Sequence, residues 1–420
     1  MTLDIRSEEF WDLEKVGTEL KRVFDICNGC RRCFNLCPSF NDLFTTLDQE
    51  AVDGDAEKLG DRDLKRAVDL CYQCKLCYNH CPYTSPHRWA IDFPRLMLRS
   101  RAAEAKAHGV SFQDRVLGNT DLVGKVGSLG APLSNWANEL AIHRAFLQAV
   151  AGIHKGRNLP KFHRETFSKW FHRRSDRKRA EEKVVLFATC PVEYNDPAVG
   201  RAAVRVLEHN GLELLHPPQR CCGMPYLDGG ATDEALAQIE FNVRSLAPLA
   251  RAGHSIVVPG PTCSYMLKRE YPWLSGSEDA KLVADHTLDL SEYLVRRHQA
   301  GKLDTNFVNP VGRIAYHLPC HLKAQNIGVK SRDLLALIPG ADVQVIEKCS
   351  GVDGTWGLKK EYYELSMKVA APLFDGIEGA RPDVTITDCP LAALQIAQGT
   401  KRQPKHPVQL LARAYGLSEE

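Results

Sequence analysis

From residue 183 onward the chain alternates short apolar runs with longer amphipathic stretches. KVVLFATC, LELLH and HSIVVPG come first, then RIAYHLPC, DVQVIE and DVTITDC. Runs this short, separated by segments of helical period, predict strands of parallel α/β units. The order is an internal repeat. Each copy has a strand leading to a cysteine (Cys190 or Cys320), an amphipathic helix, a second strand and a Cys-x-Gly turn. The turn reads Cys221-Cys222-Gly223 in one copy and Cys349-Ser350-Gly351 in the other. A further strand then leads to Cys263 or Cys389, and a His-led helix closes each copy (DHTLDLSEYL, KHPVQLLARAYG).

The N-terminal quarter follows a different period. Leu64, Ala67, Val68 and Cys71 fall at i, i+3, i+4 and i+7, one face of a helix. FWDLEKVGTELKRVFDICNGC has the same spacing, so residues 1–105 are expected to be helical. Between these regions, LSNWANELAIHRAFLQAVAGIH predicts a helix with Trp136, Leu140, Leu147 and Ala151 along one side. The expected class is therefore an α+β multidomain protein. Its parts are a helical domain over 1–105, a connector over 106–182, and two α/β domains with parallel strands over 183–308 and 309–420.

Composition adds limits. With 420 residues, 44% hydrophobic and 25% charged, the chain reads as an ordinary globular protein of several domains. Lys plus Arg against Asp plus Glu is 54 to 52, which carries no nucleic-acid signature. The start lacks the basic-then-apolar layout of a secretory signal, and no apolar run is long enough to span a bilayer. Fifteen cysteines in such a chain point to metal ligation and to a reducing cytoplasm.

Eight of those cysteines form one pattern twice. CNGCRRCFNLCP, residues 27–38, and CYQCKLCYNHCP, residues 71–82, both read Cys-x2-Cys-x2-Cys-x3-Cys-Pro. In two-cluster ferredoxins the first three thiolates of such a run wrap one 4Fe–4S cube and the fourth reaches the other. Cys27, Cys30, Cys33 and Cys81 are thereby assigned to one cube, and Cys71, Cys74, Cys77 and Cys37 to the other. Two zinc sites or a disulfide array fit the doubled spacing poorly. The long helical stretch between the runs predicts an α-helical ferredoxin rather than a compact β-type one.

The Cys-Cys-Gly turn flanked by distant cysteines resembles the cysteine-rich CCG domains of several iron–sulfur proteins. These are the heterodisulfide reductases, the iron–sulfur subunit of anaerobic glycerol-3-phosphate dehydrogenase, and lactate-utilisation iron–sulfur proteins. A helical two-cluster ferredoxin followed by two CCG domains is most similar to the glycerol-3-phosphate dehydrogenase pattern, over nearly the whole chain. A full set in this family is Cys…Cys-Cys-Gly…Cys-x2-Cys, five thiolates. In the heterodisulfide reductase branch that set holds a non-cubane cluster which attacks a disulfide. Here both copies depart from it. The first keeps Cys190, Cys221, Cys222 and Cys263, with Gly260 where the first cysteine of Cys-x2-Cys would stand. Four thiolates suit an additional iron–sulfur cluster or a zinc ion. The second keeps Cys320, Cys349 and Cys389, with Ser350 and Ala392 replacing two thiols, so its site is short or open.

The resemblance implies an electron-transfer subunit. A partner flavin dehydrogenase would supply electrons, with a quinone or another acceptor downstream, at the inner face of a cytoplasmic membrane. Heterodisulfide or thiol-disulfide reduction at a CCG cluster is an alternative, as is electron donation to a peroxide- or oxygen-reducing partner. No residue is assigned as catalytic. His321 and His317 are candidates to complete the second CCG site; the competing expectation is that His317 ends a strand and His321 opens a helix. Asp388 reads as a helix N-cap. Gly229 and Gly230 form a turn lacking the dinucleotide spacing, so no NAD or FAD site is expected.

Residues 155–179 hold ten Lys/Arg against two Asp/Glu, interleaved with Phe162, Phe167, Trp170 and Phe171. Either the stretch docks on anionic lipid or an acidic partner, or its aromatics pack against a neighbouring domain. Nucleic acid is not expected to bind there.

Overall fold

The computed structural model describes residues 3–352 and 354–417. Helices build the N-terminal region. Asp12 caps Leu13–Cys30 by accepting from the Glu14 and Lys15 N–H groups, and Val16, Leu20, Val23 and Phe24 are buried. Pro38 opens Pro38–Leu47, where a missing N–H costs nothing. Asp61–Leu70 buries Leu64, Ala67 and Val68, the expected face. Phe93–His108 completes the layer, with the Phe40 and Phe93 rings 4.4 Å apart at its centre. Each such ring contributes roughly 1.5–3 kcal/mol by burial.

Both repeats are parallel sheets. The first has strand order β2-β1-β3-β4, from Lys183–Leu186 (β1), Glu213–Leu215 (β2), Ser255–Val258 (β3) and Thr287–Asp289 (β4). The second is β6-β5-β7, from Arg313–His317 (β5), Asp342–Ile346 (β6) and Val384–Thr387 (β7). Val185 pairs with Leu215 on one side and Ile256 on the other, while Tyr316 pairs with Val345 and Ile386. Central strands buried on both faces read as continuous apolar runs.

Strand β4 was not expected. The segment read as a His-led helix first extends through Thr287–Asp289 beside β3, and the helix begins at Leu290. At the equivalent place in the second copy Lys405 forms a single parallel bridge with Ile386, followed by Pro407–Ala414. One continuous core joins the copies, containing Leu186, Val257, Tyr316, Ile386 and Leu411.

The connector also differs from its expected form. Trp136, Leu140, Leu147 and Ala151 do not line one helix: the chain breaks between Leu133–Ala137 and Ala141–Ala151, with Leu140 extended at the junction. Asn135 exchanges two 2.8 Å hydrogen bonds with the Phe162 backbone, tying the shorter helix to the basic segment. Trp136 is left exposed and Ala151 buried. In the basic segment Phe167 and Phe171 are buried in the core shared with β1, so these aromatics pack on the first CCG sheet.

Candidate metal centres

Helix ends carry the ferredoxin cysteines. Cys27 and Cys30 lie on the last turn of Leu13–Cys30, and Arg31 turns the chain away with φ +49°. Cys37 precedes Pro38–Leu47, Cys71 follows Asp61–Leu70, and Cys81 follows Leu76–His80. Gln73 and Lys75, both at positive φ, curl the loop around Cys74. Burial, and then the adjacent sulfurs of Cys33, Cys81 and Cys30, push the Cys27 thiol up. Burial pushes the Cys77 thiol up too, with Cys74, Cys71 and Cys37 as its next influences. Each neighbourhood thus includes sulfur from the other run, Cys81 beside Cys27, and Cys37 with Cys33 after it beside Cys77. A cavity lined by Cys37, Cys71, Cys74 and Cys77 lies among Leu36, Phe40 and Phe93. All fifteen cysteines are described and none is joined in a disulfide. Four thiols around a hollow with apolar walls fit an iron–sulfur cube, which wants thiolates and a dry shell.

The second loop is also the junction of the molecule. Tyr72 OH stands 3.4 Å from Cys349 Sγ, and the Gln73 carbonyl lies 3.0 Å from His321 Nε2. Lys75 Nζ donates to Gln73 Oε1 at 2.6 Å and pairs with Glu270 Oε1 at 3.8 Å, both side chains being buried. Arg95 Nε approaches Glu270 Oε2 at 3.4 Å.

In the first CCG domain Cys190, Cys221, Cys222 and Cys263 come together. Cys190 and Cys222 hydrogen-bond to the Cys221 sulfur, which favours a Cys221 thiolate; Cys222 also bonds Cys263. Gly223 makes the turn at φ +94°, with the Ala235 carbonyl 3.2 Å from where a Cβ would stand, so only glycine fits without strain. Asn242 Nδ2 donates to the Cys221 carbonyl at 3.0 Å and fixes the turn from below. From the connector, Thr120 Oγ1 donates to Cys190 Sγ at 3.4 Å, and Asp121 accepts the Cys221 N–H at 2.9 Å.

In the second domain Cys320 opens Cys320–Ala324, Cys349 Sγ accepts from the Gly351 N–H at 3.3 Å, and Cys389 is the N-cap of Pro390–Thr400. Asp388, expected in that capping role, is instead buried, accepting from Tyr316 OH at 2.7 Å and from Ser331 Oγ at 2.5 Å. The cap falls to Cys389 because Pro390 starts the helix one residue later. His317 ends β5 with Nδ1 2.9 Å from Thr387 Oγ1. Protein groups engage both ring nitrogens of His321, Thr262 Oγ1 at 2.9 Å and the Gln73 carbonyl, which leaves neither for a metal. Burial holds both imidazoles neutral, pushed down to about 4.

Among the described residues no three His, Cys, Asp or Glu side chains stand in the geometry of a single metal ion. Sequence reasoning missed Thr120, Asp121, Tyr72, Gln73, Lys75 and Glu270. Tyr72, Gln73 and Lys75 could have been suspected, since they sit between cysteines of one loop. Asp121 carries no such signal, because an acid in a first helical turn is commonplace.

Residues 20–107 match the Citrate utilization protein B Fer4-like domain, and residues 184–268 and 314–397 match the Cysteine-rich domain. The anaerobic glycerol-3-phosphate dehydrogenase subunit designated C in Escherichia coli is 34% identical over 310 residues, 72% of this chain and 77% of that protein. The fumarate reductase (CoM/CoB) subunit designated B in Methanothermobacter marburgensis is 30% identical over 235 residues, 54% of this chain and 44% of that one. Lactate utilization protein A of a Geobacillus strain is 30% identical over 241 residues, covering 54% and 96%. A Fer4-like helical domain followed by two cysteine-rich domains, with that similarity, makes this chain a member of the iron–sulfur family of that anaerobic glycerol-3-phosphate dehydrogenase subunit.

Proposed function

We propose that the chain is the electron-relay subunit of an oxidoreductase, accepting electrons from a flavin dehydrogenase subunit and delivering them to a quinone. The supporting observation is the exchange of sulfurs between the two runs, with Cys81 beside Cys27 and Cys37 beside Cys77. Cys27, Cys30, Cys33 and Cys81 would hold one 4Fe–4S cluster and Cys71, Cys74, Cys77 and Cys37 the other. Such clusters exchange single electrons at a potential set by burial and by hydrogen bonds to sulfur. The protein's own part is to bury the thiols, to orient the loops through Gln73 and Lys75, and to exclude water with Phe40 and Phe93. Cys190, Cys221, Cys222 and Cys263 would hold a further iron–sulfur cluster, and Cys320, Cys349 and Cys389 a reduced site. The parts would divide at 1–105, 106–182, 183–308 and 309–420, with 1–2, 353 and 418–420 outside the described residues. Iron analysis of anaerobically purified protein tests this: about eight iron from the ferredoxin region alone is expected, and a zinc-only content would end the proposal.

The site of membrane contact in this reading is the connector, although no helix among the described residues is long and apolar enough to cross a bilayer. Thr120–Leu129, Leu133–Ala137 and Ala141–Ala151 expose Leu129 at 75%, Leu133 at 72% and Ile142 at 81%, beside Val126, Trp136 and Phe146. Apolar surface of this kind marks an interaction site. Exposed Lys125, Lys161 and Arg164 flank it in sequence and through the Asn135–Phe162 tie, as suits anionic head groups. Sedimentation with phosphatidylglycerol vesicles should carry the protein down and Ile142→Ser should weaken it. Binding to a dehydrogenase subunit but not to vesicles would make the face a protein interface instead.

A further inference from the structure

The first CCG domain lacks the fifth thiol of a full set, since Gly260 occupies its place. A carboxylate from outside the domain stands against two of the remaining four cysteines, Cys190 and Cys221. Asp121 Oδ2 accepts the Cys221 N–H at 2.9 Å, while Oδ1 lies 3.9 Å from Cys190 Sγ. Asp121 lies in Thr120–Leu129, and the chain is held hard against the domain at two glycines bracketing it, Gly118 at the end of the preceding helix Phe112–Gly118 and Gly124 within its own. A Cβ on Gly118 would stand 2.7 Å from the Tyr226 ring, and one on Gly124 would stand 2.2 Å from the Tyr194 ring. A helix pressed this closely delivers its first-turn side chain to a defined place, as packing without voids requires.

We infer that Asp121 is an oxygen ligand of the centre held by Cys190, Cys221, Cys222 and Cys263, standing in for the absent fifth thiolate. Cys190 Sγ and Asp121 Oδ1 lie 3.9 Å apart, side by side at the mouth of the thiol cluster. A centre held through these sulfurs takes Cys190 as a thiolate, and the Asp121 carboxylate stands next to it. Two anions so placed repel unless a cation lies between them. Iron in that position relieves the repulsion and takes a hard oxygen donor beside the soft sulfurs. Oδ2 stays on the Cys221 N–H, so a single carboxylate both fixes the turn and completes the ligand count.

This inference rests on the proposed first CCG site being loaded with iron. The test is ⁵⁷Fe Mössbauer spectroscopy of the full chain, with iron counted beside it. Wild type should show a component outside the ferredoxin cubes that carries oxygen ligation. In Asp121→Asn the amide can still accept from the Cys221 N–H and donate to sulfur, but it ligates iron poorly, so that component should vanish with the ferredoxin signals intact. Asp121→Cys should convert it to an all-sulfur signature, which covers the case where the asparagine variant does not fold. A spectrum unchanged in Asp121→Asn, or a wild-type signature in Asp121→Cys, overturns the ligand assignment alone. Wild type with no metal beyond the ferredoxin clusters overturns the loaded site and the inference together.

Discussion

Tyr72 and Cys349 lie 277 residues apart in the chain, yet the phenol oxygen of one stands 3.4 Å from the sulfur of the other. Tyr72 sits between two cysteines of the second ferredoxin loop, and Cys349 is in the turn of the second CCG domain. The contact makes the depleted copy the immediate neighbour of the ferredoxin centre. Hydrogen bonds to a ligating sulfur stabilise its more reduced state. Tyr72→Phe should therefore lower the midpoint potential of the adjacent centre, while the ring stays packed 5.2 Å from Trp356. A potentiometric titration followed by paramagnetic resonance reads the shift, and an unchanged potential would remove the contact from the relay.

Sulfur exchange between the runs predicts a pattern of non-additive losses. Cys27→Ser, Cys81→Ser and their combination should each forfeit about the same four iron, because they empty one cube. Cys81→Ser with Cys71→Ser should forfeit about eight. If the Cys27/Cys81 pair instead lost both cubes' worth, each run would be holding its own cluster.

Glu270 is wholly buried against Lys75 and Arg95, and neither of its oxygens has a hydrogen-bond partner in the structure. Replacing it with alanine strands the Lys75 ammonium in the interior, which costs about 3–5 kcal/mol. Denaturant unfolding of the anaerobic protein measures this. A loss below about 1 kcal/mol, the range of an exposed ion pair, would mean that water reaches the site.

Gly124→Ala reverses the usual effect of that change. Alanine within an exposed helix typically gains up to about 1 kcal/mol over glycine, but here the new methyl meets the Tyr194 ring. Overpacking of this kind costs about 1–3 kcal/mol. Hydrogen exchange over Thr120–Leu129 should accelerate; protection equal to wild type would show that Tyr194 swings aside freely.

Imidazoles remote from the cysteine turns of the second domain, His406 and His216, contribute to an acid limit. Burial pushes His406, whose Nδ1 accepts the Val408 N–H at 3.1 Å, down to about 3, and His216 down to about 4, from an ordinary 6.5. Below pH 6.5 the unfolded chain binds protons that the folded one refuses, so their stabilising contribution is full above that pH and falls as acid is added. Unfolding free energy should drop from pH 6.5 down to about 4 for His216 and about 3 for His406. His406→Asn keeps a capping oxygen without the titration and should flatten the slope; an unaltered slope would place the linkage elsewhere.

Local pattern determined much of this molecule. Apolar period distinguished the helical quarter from the parallel strands, since a side chain's burial follows the repeat of its own backbone. The doubled cysteine spacing singled out the eight thiols proposed to hold two cubes, because a loop that wraps a cube must space its sulfurs in a fixed way. Short elements escaped: β4 is three residues long, too short to show a period, and the helix breaks at Leu140, while the Asn135 tie of the shorter helix reaches a backbone distant in sequence. Folding alone decided the rest. The meeting of Tyr72 with Cys349, the engagement of both His321 nitrogens and the delivery of Asp121 to the first CCG thiols all join residues from different domains. Contacts across such separations depend on how whole faces pack, and no local spacing of residues encodes them.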